Sequence, residues 1–199
     1  MIGYGEEDTN FVVELTYNYG VRSYERGDDF NYLKIRSSQV IQNLKDKNYP
    51  FKLHDNGLYE VHDPNGYRFL VEDNQNKSEY AVSECSLFVT DAKNSCEYWV
   101  SYLSLKGGVV EHKRVEVSFS EFKFKLVLVE SGTDKINHAK AYGRIAFSCP
   151  TSELKPLQDQ MEGLKQTILT KLISLDTPGK ATVRKCFLIS IVLGLKLKS

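Results

Sequence analysis

Few side chains in this chain are placed to do chemistry, and the first is a carboxylate inside an apolar run. In "FVVELTYNYG", Phe11, Val13, Leu15 and Tyr17 alternate with Val12, Glu14 and Thr16. That is the two-residue period of a strand. Both faces are largely apolar, so the stretch reads as a buried strand with Glu14 among packed residues. A carboxylate there is either a metal ligand or a charge at the rim of a sheet. The first role needs further oxygen or nitrogen donors gathered around it. His54, His62, His112 and His138 fall in loops or exposed strand positions, with no helical i, i+4 pair among them, so all four read as surface residues. No Ser-His-Asp arrangement stands out, and the Gly pairs form no phosphate loop. Cys149, before Pro150, reads as a buried thiol at a strand end rather than a nucleophile.

The elements that would position these groups are mostly strands. "YLKIRS" alternates Tyr32, Lys34 and Arg36 with Leu33 and Ile35, a half-exposed strand. "SSQVIQNLKDKNYP" predicts a short helix capped by Ser37 or Ser38, with Val40, Ile41 and Leu44 on one face and Pro50 beyond its end. "GLYEVHD" and "YRFLVED" predict two strands joined by a tight turn from Asp63 to Gly66. The polar "DNQNKSE" reads as a linker between halves. "CSLFVTD" predicts a strand, and "DAKNSCEYWVSYLSL" a helix capped by Asp91, with Cys96, Trp99 and Leu103 down one side. "VVEHKRVEVSFS" and "EFKFKLVLVE" predict paired antiparallel strands. A helix bearing Leu157, Met161 and Leu164 should begin close to Pro156, because proline is tolerated only in a first turn. "KLISLDT", "PGK" and "ATVRKCFLISIVL" predict a closing hairpin.

Composition bounds the rest. A chain of 199 residues suffices for one large domain or two small ones. Lys plus Arg and Asp plus Glu each number 26, so the net charge is zero. That balance argues against nucleic acid and against an anionic membrane surface as partners. The four cysteines lack C-x-x-C spacing, which favours free thiols and the cytosol. The acidic opening "MIGYGEEDTN" is no signal peptide, and the apolar tail falls short of the ~20 residues that span a bilayer.

The order strand, helix, several strands occurs twice, an internal repeat at module scale. "IGYGEEDTNFVVELTYNYGVRSYERGDDF" closely resembles a segment of glyoxalase I enzymes, members of the vicinal oxygen chelate superfamily. "DPNGY", "YWVSYLSLK", "AYGRIAFSCP" and "LISLDTPGKATV" extend the resemblance to about Val183. It implies an α+β fold of paired βαβββ modules whose sheets form a cup, with the first module and the last strands incomplete, as in a truncated form. Residues 1–76 are then the C-terminal portion of a first such domain, and 80–199 a second with a divergent end.

Active members of the superfamily hold zinc or nickel on two His and two Glu, and a glutamate base moves a proton on a glutathione hemithioacetal. The resemblance implies that the first ligand precedes Met1, the second falls on Glu14, the third on Tyr32 and the fourth, also the base, on Leu70. Glu14 is the one position that matches a metal ligand. The second set falls near Glu84, Val127, Arg144 and a last strand that the tail does not reproduce, and an Arg144–Glu84 ion pair is expected there. On this reading no residue is catalytic or cofactor-binding, and no metal is held. The expected function is that of a binding module taking an unknown protein partner or small molecule, glutathione conjugates among them. The alternative is a metal-dependent lactoylglutathione lyase acting on methylglyoxal–glutathione hemithioacetal. The resemblance also allows a mitochondrial location. With its opening elements missing, the first half should leave a sheet edge and apolar surface uncovered.

Overall fold

Ten strands and three α-helices make up the fold of a computed structural model that describes residues 2–5, 10–15, 18–23, 25–118, 124–139, 143, 145–147, 150–175 and 184–189. The first module is β1 (Phe30–Arg36), α1 (Ser38–Asp46), β2 (Lys52–Leu53), β3 (Tyr59–His62) and β4 (Arg68–Glu72). The second is β5 (Ala81–Val89), α2 (Ala92–Glu97), β6 (Lys106–Gly107), β7 (Arg114–Ser118) and β8 (Lys125–Glu130). Each is thus βαβββ. A 3₁₀ turn, Lys77–Glu79, joins them where the linker was expected.

The two modules share one sheet of order β2-β3-β4-β1-β5-β8-β7-β6. β1 runs parallel to β4, β5 runs parallel to β8, and β1 meets β5 antiparallel at the centre. Strands from both expected domain portions therefore belong to a single sheet.

The central pairing is irregular in a specific way. Phe30 faces Leu87, but Tyr32 faces Ser86, so Asn31 is bulged out of β1. Lys34 faces Glu84, but Ile35 faces Val82, so Ser83 is bulged out of β5. The two bulges cancel. The register is offset by one residue for Tyr32, Leu33 and Lys34 and restored on both sides. Without them Lys34 would oppose Ser83. Bulges re-aim side chains in this way.

Local sequence explains the elements that form. The Ser37 hydroxyl accepts the Val40 amide at 3.4 Å to cap α1, which buries Ile41. Asp63 Oδ1 accepts the amides of Asn65 and Tyr67 at 2.9 and 2.7 Å, and Gly66 takes φ +82°, closing the β3–β4 turn. Asp91 caps α2 by accepting the Asn94 amide at 2.8 Å. One face of the sheet carries the core: Cys85, Leu87, Val89, Val115, Val117, Leu126 and Leu128, packed under Trp99 and Met161.

Three expectations fail. No strand forms at 11–15, the described part of this run, Thr16 and Tyr17 lying outside the described residues. Val13 makes a single bridge with Ile2, and Leu15 is 71% exposed. Alternation needs a neighbouring ladder to become a strand, and one bridge does not supply it. The second helix does not stay α-helical: it passes at Tyr98–Tyr102 into a π-helical turn that buries Tyr98 and Trp99. The third helix, α3 (Thr151–Gly163), begins before Pro156, directly after Pro150. Pro156 sits in its second turn and forfeits one i→i−4 bond, while Leu154, Gln158 and Met161 bury the helix face at i, i+4 and i+7.

β9 (Ile168–Leu175) and β10 (Arg184–Ile189) pair antiparallel, as the closing hairpin requires, and its "PGK" turn lies outside the described residues. Gln158 Oε1 accepts the Leu172 amide at 2.6 Å, tying α3 to β9. At the sheet's first edge Phe51, just before β2, and Leu53, within it, are exposed.

Leu126 is fully buried on the core face of β8, so Leu126→Ala should cost about 2–5 kcal/mol in urea unfolding. Asp91→Ala, which removes only a cap, should cost about 1 kcal/mol.

Candidate functional site

The face of the sheet opposite the core is polar. The offset register aligns Tyr32, Ser86, Val127 and Glu116 in one row across four strands. The next row runs Lys52, Glu60, Leu70, Lys34, Glu84, Lys125, Ser118 and Lys106. Tyr32, Leu70, Glu84 and Val127, four positions that the resemblance singles out, thus lie together on one face. Tyr32, Leu70, Ser86 and Val127 are all buried. The alternation in β1 was correctly legible, but its polar side faces other strands' side chains and not solvent.

Charges on this face are arranged in pairs. Lys34 Nζ lies 2.7 Å from Glu72 Oε2 and 3.3 Å from Glu84 Oε1. Arg36 Nε lies 3.3 Å from Glu72 Oε1. The Tyr32 hydroxyl donates to Glu84 Oε2 at 3.1 Å. Glu60 accepts from Arg68 Nε and Nη2 at 2.9 and 2.7 Å and lies 2.9 Å from His54 Nε2. Arg68 Nη1 donates to Asn31 Oδ1 at 3.2 Å, and Asn31 Nδ2 donates to Ser86 Oγ at 3.1 Å. The Arg68 guanidinium also stands 5.7 Å from the Tyr32 ring centre. Towards the far strand, Glu116 pairs with Arg114 at 2.8 Å and Lys125 at 2.6 Å.

These contacts set protonation. Burial and then the Glu84 charge push the Tyr32 phenol up, so it remains a neutral donor. Burial pulls the Lys34 ammonium down, but Glu72 and Glu84 outweigh it and hold its pKa above the ordinary value. The Lys34 hydrogen bond holds the Glu72 carboxyl low, against desolvation.

Glu14 is exposed, on a segment joined through the Ile2–Val13 bridge. Among the described residues no three His, Cys, Asp or Glu side chains gather as metal ligands would. The polar face does not fit a divalent ion. Its central carboxylates are engaged by an ammonium, a guanidinium and a phenol, and its neighbours include aliphatic Leu70 and Val127. Arg144 lies outside the described residues, as does Cys149. The cation beside Glu84 is Lys34.

Two histidines are less superficial than expected: His54 is held by Glu60, and His138 Nδ1 lies 3.3 Å from the buried Asp29. Burial raises the Asp29 pKa in spite of that neighbour. Lys34, Glu60, Arg68 and Glu72 were missed in the sequence because charged residues at alternate strand positions read as solvent-facing.

Glu72 titrates from a depressed folded pKa towards an ordinary value of 4.5. Its contribution is complete above the unfolded value and is lost as pH falls through the folded one. Asp29, with a raised pKa, acts in the opposite sense. Urea unfolding between about pH 6 and pH 3 should therefore show a shallower acid loss of stability in Glu72→Gln than in the natural protein.

Comparison with known proteins agrees with this architecture. The sequence model described as "Glyoxalase domain-containing protein 4-like, C-terminal domain" matches residues 91–190. Glyoxalase domain-containing protein 4 of Mus musculus is 40% identical over 186 residues, 92% of this chain and 62% of that protein. Glyoxalase 1 of Caenorhabditis briggsae is 40% identical over 188 residues, again 92% of this chain and 64% of that protein. The chain thus spans less than two thirds of these relatives. The crystal structure of glyoxalase I from Zea mays superposes with a TM-score of 0.66 at 24% identity, covering 89% of this chain and 69% of the maize chain, a likeness of fold. With paired βαβββ modules in one sheet and this identity over most of its length, the chain belongs to the glyoxalase domain-containing protein 4-like family.

Proposed function

We propose that this chain is a binding module that works through the polar face of its shared sheet and not as a proton-transfer catalyst. The observation that carries the reading is the state of Glu84. One of its oxygens meets the Lys34 ammonium and the other accepts the Tyr32 hydroxyl, so it is neither an open ligand nor an open base. At the position where the family resemblance implies the base stands Leu70, which cannot take a proton. Loss of a positioned base removes about 10²–10⁴ in rate.

The occupant is a protein partner or a small molecule, with glutathione conjugates the first class to test. An anionic peptide-like ligand suits a face that carries Lys34, Arg36, Arg68, Arg114 and Lys125 among its described residues. Nucleic acid and membrane are not partners in this reading: the chain carries no net charge, and no helix among the described residues is long and apolar enough to cross a bilayer. The free thiols Cys85 and Cys96 suit the cytosol.

The second reading is a metal-dependent lactoylglutathione lyase on methylglyoxal–glutathione hemithioacetal, favoured by the Caenorhabditis relative called Glyoxalase 1. Metal analysis of the purified protein and a hemithioacetal turnover assay separate the two. The binding module should carry substoichiometric zinc and nickel, show no turnover above background, and titrate with S-alkylglutathione. Stoichiometric metal together with turnover would establish the lyase instead.

A further inference from the structure

Lys34 leaves the middle of β1 at the one stretch where the register is offset, and that offset places it opposite Glu84. Its side chain is 17% exposed, and Glu84 is 13% exposed. Two carboxylates, Glu72 from β4 and Glu84 from β5, converge on the one ammonium. Their four oxygens are all engaged: Lys34 and Arg36 take those of Glu72, while Lys34 and Tyr32 take those of Glu84, each within 3.3 Å. Two carboxylates brought together in a half-desolvated place repel each other unless a cation lies between them. Here that cation is covalently tethered. An ion from solution would have to displace a group present at high effective concentration and leave its charge unpaired.

We infer that Lys34 is the internal cation of this face, the residue that sets its specificity: it holds Glu72 and Glu84 together and excludes divalent metal ions. Ligands then meet paired charges and hydrogen-bond donors, and their binding is independent of metal. The inference rests on the proposed binding role, but the two fail separately. Metal and turnover in the natural protein would remove that role, whereas the experiment below removes or keeps the part played by Lys34.

Thermal unfolding of the full chain with and without millimolar nickel or zinc tests it, on the natural protein, Lys34→Arg, Lys34→Met and Lys34→Met/Glu84→Gln. Lys34→Met uncovers the carboxylates and should gain a metal-dependent rise in Tm of about 2–4 °C, the size expected for a ligand worth ~1 kcal/mol in a chain of this length. The natural protein and Lys34→Arg should not shift, and the double variant should lose the gain. If Lys34→Met is unfolded without metal, nickel should restore its folded signal. No rise and no restoration in Lys34→Met overturns the inference. So does an equal rise in the natural protein, or a rise that persists in the double variant.

Discussion

The contacts that join the two halves of the polar face depend on the antiparallel pairing of β1 with β5. It is the one seam between the two βαβββ modules in the sheet, and it lies at the centre, so its register decides which residues of one module meet which of the other. The parallel pairs β1–β4 and β5–β8 then carry that alignment outwards to β3 and β7. The core on the reverse face is set by the same alignment. Leu33 opposite Cys85, and Cys85 beside Leu126, place apolar groups under Trp99 while Lys34 and Glu84 take the other side.

The two faces of the sheet divide the work of packing and of charge pairing, although Leu70 and Val127 are buried on the polar one. Valines and leucines fill one side to complete burial. The other side is covered at its centre, around Lys34 and Glu84, where the charges survive burial because they are matched at close range. Burying a charge is costly only when it lacks partners, and breaking one such pair costs more than forming it gains. The arrangement therefore reads less as a store of stability than as a means of holding several long side chains in one geometry.

Much of this order is visible in the residues themselves. The helix cap at Ser37, the turn built on Asp63 and Gly66, and the alternation of β7 and β8 need only neighbours in sequence, and they form as expected. The "FVVELTY" run shows the limit of periodicity: it has the pattern of a strand but obtains only one bridge partner among the described residues. Pro156 shows another, since a helix anchored by Leu154 and Met161 tolerates a proline that propensity alone would place at its start. The site was legible in part. Tyr32, Leu70, Glu84 and Val127 do gather on one face, but Lys34 and Glu72 lie 38 positions apart in the chain and become neighbours only through the parallel pairing of β1 with β4. Nothing local to either residue announces that.

The paired bulges at Asn31 and Ser83 also constrain how this seam can change over evolutionary time. Each is a single extra residue, one per strand, and together they balance. Removing either alone would carry the mismatch to the end of the strand and invert the facing of every residue beyond it, because side chains alternate with a period of two. Insertions and deletions in this pair of strands are therefore tolerated only as compensating doubles. The seam thus couples the lengths of its two strands to each other.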